Sequence, residues 1–161
     1  MPAVDSSPMP TRMTVRNLIG DLIGRDIDLR DSDPMPSKVT NVTGVYVTDR
    51  LATSAIAVLD FEGAARLGGA LGMLPRGGVE DAIGERTLPP VIRDCTYEVL
   101  NVLASAFNVG NAPHVRLYQM YGPGGGVPTD VASMGASAIG RMDVTLQISG
   151  YGSGRLSIVV R

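Results

Sequence analysis

The sequence predicts an α+β fold, a largely antiparallel sheet with helices packed on one face. Three observations predict it. Apolar residues recur at helical spacing in separated stretches. Shorter stretches alternate apolar with polar residues or are rich in β-branched ones. These stretches follow one another as helix, two strands, two helices, three strands.

Residues 1–11, rich in Pro and Ser and without a period, read as a flexible tail, and 12–161 as a single domain. Val15, Leu18, Ile19, Leu22 and Ile23 predict a first helix over about 12–25, followed by a linker at 30–38. Two β-rich runs, 42–48 and 54–59, are joined by 49–53 as a hairpin. A second helix is expected over 61–73. Its Gly68, Gly69 and Gly72 each cost about 1 kcal/mol relative to Ala, which a close-packed neighbour can offset. Pro75 to Gly78 breaks the chain. A third helix runs from Pro89 to Asn108, opened by a proline pair that a first turn tolerates and closed by Asn108, Gly110 and Pro113. Strands are expected at 114–120, 142–148 and 156–160, with a loop at 122–128 and a turn at 150–154; 129–139 receives no assignment.

With 161 residues and 44% hydrophobic content, one folded domain is expected rather than disorder. A net charge of −2 without a basic block argues against a nucleic-acid footprint, which needs clustered Lys and Arg. The single Cys95 allows no disulfide within one chain, as suits a reducing compartment. No apolar run is long enough to span a membrane, and the N-terminus lacks the apolar core of a secretion signal. A cytoplasmic location is the expectation.

Few residues invite chemistry. The glycines at 122–126 lack the Lys-Ser/Thr of a phosphate-binding loop and read as a turn-rich loop. His114 has no Cys, Ser or acidic partner nearby in sequence and reads as a strand-start residue. Cys95 reads as core packing, on one side of the third helix with Ile92, Val99, Val102, Leu103 and Ala106. Asp94, Glu98, Asn101 and Ser105, at i, i+4, i+7 and i+11, form a separate continuous stripe. Taken alone, such a stripe is an ordinary solvated helix face.

Asp94-x-x-x-Glu98-x-x-Asn101, with Pro123 further on, resembles the signature of the CheC/CheX/FliY chemotaxis phosphatases. The likeness is greatest to CheX-like members, which carry one such motif in a chain of comparable length. It extends over roughly residues 12–160: the leading helix, the hairpin around Val45 and Ala55–Asp60, the second helix ending near Leu71-Gly-Met-Leu74, and the motif helix match in order. Ser105 stands where the family often has Gly, and the proline spacing is one short. A rival frame, Asp81-Ala-Ile-Gly-Glu85, also resembles the family's pattern, but Leu88 stands where the Asn is required. In that frame the protein would be a catalytically dead relative.

The resemblance implies a phosphatase acting on the aspartyl phosphate of a CheY-like response-regulator receiver. Asn101 would hold the attacking water and Glu98 would pair with a receiver lysine, with Asp94 and Ser105 bordering the docking surface. No cofactor of its own is implied; Mg2+ would come with the receiver. A second expectation is a non-catalytic CheX-like adaptor that binds a receiver or self-associates. Edge strands and the glycine-rich second helix would suit a homodimer.

Overall fold

The computed structural model describes residues 6–161. Six antiparallel strands form one sheet in the order β1-β5-β6-β3-β2-β4. They are β1 (Ile27–Asp31), β2 (Val42–Thr48), β3 (Thr53–Leu59), β4 (Val115–Tyr121), β5 (Arg141–Ile148) and β6 (Gly152–Val160). Helices α1 (Arg12–Ile23), α2 (Phe61–Leu71), α3 (Arg76–Glu85) and α4 (Pro90–Leu103) gather over one face; α4 tightens into a 3-10 turn at Ala104–Ala106. A short α5 (Thr129–Gly135) packs Val131 and Met134 on the other face, against Val45, Val47, Ile56 and Val159. Among the described residues no helix is long and apolar enough to cross a membrane.

The expected helices and strands are present, with three additions. β1 occupies Ile27–Asp31 and overlaps the start of the expected linker, pairing with the far edge of β5. Pro75 does separate two helices, but it is the residue before α3, and the chain is already helical from Arg76. α5 fills the stretch left unassigned. The expected tail lies partly outside the described residues. Its described part is packed rather than free: Ser7 and Pro10 are buried, and the Ser7 hydroxyl lies 2.6 Å from that of Ser54.

Helix α2 is the hub of the helical layer, and its small residues make it so. A Cβ on Gly68 would meet the carbonyl oxygen of Ile92 at 2.5 Å, as well as the Thr96 hydroxyl. A Cβ on Gly69 would collide with Val79 of α3. A Cβ on Gly154 of β6 would sit 2.8 Å from the Gly63 nitrogen. Asp60 caps α2, accepting from the N–H groups of Gly63 (2.8 Å) and Arg155 (2.9 Å).

On the opposite face, Arg141 and Asp143 form a two-pronged ion pair at 2.8 and 2.9 Å, with side chains only 10% and 8% exposed. Arg141 Nη1 also donates to the carbonyls of Gly135 and Ser137, and the Ser157 hydroxyl donates to Asp143. Burial alone would raise the Asp143 carboxyl. The hydrogen bonds from Arg141 and Ser157, and the guanidinium charge, outweigh it and hold the group below the ordinary carboxylate range.

Two expectations for stability result. Gly68→Ala should cost about 2–3 kcal/mol through overpacking against α4, whereas Gly78→Ala in α3, where nothing lies within 4 Å, should gain about 0.5–1 kcal/mol; urea denaturation measures both. Asp143→Asn should lose about 3 kcal/mol at pH 7 by leaving a buried guanidinium unpaired. Because the folded pKa lies below the unfolded one, the wild-type advantage is complete above about pH 4 and is lost as the pH falls through the folded value. The Tm curves of wild type and variant should therefore converge in acid; a constant gap down to the lowest pH tested would contradict the assignment.

Candidate functional site

Helix α4 begins on a proline pair, Pro89 before its first turn and Pro90 within it, so no N–H is wasted there. Its buried face is Ile92, Thr96, Val99, Leu100 and Leu103. This corrects the face expected from hydropathy: Cys95 and Val102 are only half-buried at its flanks, while Thr96 and Leu100 are in the core. Thr96 belongs there because its hydroxyl is satisfied locally, lying 2.9 Å from the carbonyls of both Ala64 and Ile92.

The other end of α4 is held by β2. Where the helix tightens, the Ala104 N–H turns to the carbonyls of Asn101 and Val102. The Leu100 carbonyl is taken by the hydroxyl of fully buried Tyr46, at 2.5 Å. The Tyr46 ring leans on Phe107, centroids 5.1 Å apart. Burial pushes the Tyr46 hydroxyl far above its ordinary pKa, so it remains a donor.

With both ends fixed, Asp94, Glu98, Asn101 and Ser105 all face outward and are exposed. Among the described residues, the side chains of Asp94, Glu98 and Asn101 make no hydrogen bond or ion pair. Ser105 differs: its hydroxyl donates to the Val102 carbonyl at 2.8 Å, within its own helix. Val91 (48% exposed) and Tyr97 (41% exposed) lie on either side of the stripe, lending it apolar flanks. The stripe thus offers one free amide and two free carboxylates on a rigid rod.

Arg93, one residue before the stripe, donates to the Gly122 carbonyl at 3.1 Å. The bond brings the loop that holds Pro123 against the first turns of α4. The rival frame does not assemble a comparable group. Asp81 and Glu85 are exposed on α3, but that helix ends at Glu85 with Arg86 in the left-handed region, so Leu88 lies beyond it.

The other candidates remain apart. His114 is exposed just before β4. The Cys95 thiol is pushed up by burial and by the charges of Asp94 and Glu98, which keeps it protonated at neutral pH and unsuited as a nucleophile. Among the described residues, no three His, Cys, Asp or Glu side chains are grouped to hold a metal ion. Sequence reasoning passed over Arg93 and Tyr46. Nothing local marks Arg93, whereas an aromatic with a hydroxyl in an otherwise aliphatic strand is a usable sign that a buried acceptor awaits it.

No protein-family model matches the chain, and no curated protein matches its sequence. Solved structures do match in shape. CheX in a complex with CheY, BeF3 and Mg2+ from Borrelia burgdorferi superposes with a TM-score of 0.56 at 12% identity, covering 91% of this chain and 92% of that one. FliY of Thermotoga maritima gives 0.54 at 12% identity, over 91% and 82%. FliM in a complex with SpeE from H. pylori gives 0.57 at 10% identity, over 92% and 82%. The antiparallel sheet under a helical layer that these neighbours match is the CheC/CheX/FliY-like fold, and this chain has it.

Proposed function

We propose that the protein is a phosphatase that hydrolyses the aspartyl phosphate of a response-regulator receiver domain, working in the cytoplasm. The observation that carries this reading is the free pair on α4, Glu98 and Asn101, one turn apart, exposed and without a partner in the chain. The reading also draws on the likeness to a CheX bound to CheY with BeF3 and Mg2+.

In this mechanism α4 docks its stripe into the receiver's active site. Asn101 accepts a hydrogen bond from a water through Oδ1 and can donate through Nδ2, without titrating near neutral pH. It sets that water in line with phosphorus. The water's oxygen bonds to phosphorus, the acyl-phosphate P–O bond breaks, and the receiver's aspartate leaves as a carboxylate. Charge on the phosphoryl oxygens would be neutralised by Mg2+ supplied with the receiver, not by this chain. The protein's share is positioning, which can be worth several kcal/mol of barrier. Glu98 pairs with a receiver lysine and fixes the approach; Asp94 borders the docking surface, and so does Ser105, whose hydroxyl donates within its own helix and keeps its acceptor lone pairs.

A second reading, a non-catalytic adaptor that binds a receiver or a second copy of itself, is favoured by one observation. The FliM likeness is as close as the CheX likeness, at 0.57 against 0.56.

Phosphate loss from a panel of phosphorylated receivers separates the two. Asn101→Ala should slow the accelerated loss by about 100-fold or more, while stability changes by no more than about 0.5 kcal/mol because the side chain is exposed. Wild-type binding with no acceleration would favour the adaptor. Glu98→Ala should raise KM by about two- to fivefold, the value of an exposed ion pair; an unchanged Michaelis curve would remove Glu98 from docking.

A further inference from the structure

The face of the sheet turned away from α4 is only partly covered. Between α5, the 33–41 connection and the 122–128 loop, a cleft of about 290 Å³ remains. Its walls are mostly aliphatic, with Ile56, Val58 and Val159 from the sheet and Val131 and Ala132 from α5, and Thr43 and Ser157 add hydroxyls among them. Arg141 also lines it, but every prong of that guanidinium is engaged, two on Asp143 and one on the Gly135 and Ser137 carbonyls. The charge left unanswered at the cleft is Lys38, the chain's single lysine, which has no carboxylate partner among the described residues.

The glycines of the loop supply a second, independent observation. Gly122 needs to be glycine: its φ is +85° and a Cβ would collide with the Asn41 carbonyl oxygen. Gly125 and Gly126 do not. Neither has a left-handed φ, and nothing lies within 4 Å of where a Cβ would stand. Neither packing nor backbone geometry asks for glycine at these positions, yet both line the cleft. The bare backbone leaves the opening free of side chains.

We propose that this cleft binds a small aliphatic carboxylate, its chain against the valine and isoleucine walls and its head group toward Lys38. Small-molecule sites combine a mostly apolar concave lining with a few polar groups that fix orientation, and this cleft has that make-up near the small end of their size range. An apolar chain displaces water from the walls, and the single unpaired ammonium selects a single negative charge.

Sodium octanoate and 1-octanol are the probes, titrated into the full-length protein and followed by amide chemical shifts. Octanoate should shift resonances of the 35–41, 125–127 and 131–136 segments and leave those of α4 in place. Lys38→Gln should weaken octanoate by about threefold, the value of an exposed charge pair, and leave octanol unchanged. Gly126→Leu and Ala132→Phe place bulk at the opening, where the first meets no neighbour within 4 Å. At least one should abolish binding while the urea midpoint of that variant stays at the wild-type value. The proposal is overturned by no binding, by shifts centred elsewhere, by octanoate affinity that ignores Lys38, or by affinity unchanged in both filled variants. It is overturned equally if sedimentation shows a dimer that the filled variants dissociate, since the cleft would then be an interface between copies.

Discussion

Helix α4 can lie against α2 only because position 68 carries no side chain. The space a Cβ would fill holds the Ile92 carbonyl and the Thr96 hydroxyl. The same device recurs along α2, with Gly69 admitting Val79 of α3 and Gly63 facing Gly154 of the sheet. A helix so poor in side-chain volume is weak in isolation. It is stable here because three neighbours approach to backbone distance, where dispersion contacts are dense. The orientation of α4 is settled by this close seat on one side and by Tyr46 on the other.

That seat explains why the outer face of α4 is chemically idle within the monomer. Thr96 and Ser105 spend their hydroxyls on nearby carbonyls, and Arg93 spends a donor on Gly122. Asp94, Glu98 and Asn101 are left over. A free amide on a rigid helix keeps its acceptor and both donors for whatever docks, at the expense of ordering one short side chain.

Much of this was legible in the residues. The period of α4 and the alternation of β5 follow from one face being wet and the other dry, whereas the hairpin 42–59, buried on both faces, was legible from its β-rich composition and the short connection between its runs. The exposed stripe was legible from the contrast of wet and dry faces. The missing elements lack that contrast. β1 is five residues at a sheet edge with Asp28, Arg30 and Asp31 among them. α3 follows Pro75 and carries Gly77 and Gly78 in its first turn, which locally signal a break. α5 is seven residues long and covers a small area. Placing Cys95 in the core face, with Thr96 given no place in it, followed hydropathy, which cannot register a hydroxyl that satisfies itself on the carbonyl four residues back.

The single-layer sheet has a further consequence. It stands as a partition through the molecule, with the α4 stripe on one side and the α5 cleft on the other. The 122–128 loop reaches round its edge to both: the Gly122 carbonyl is held by Arg93 of α4, while Gly125 and Gly126 line the cleft.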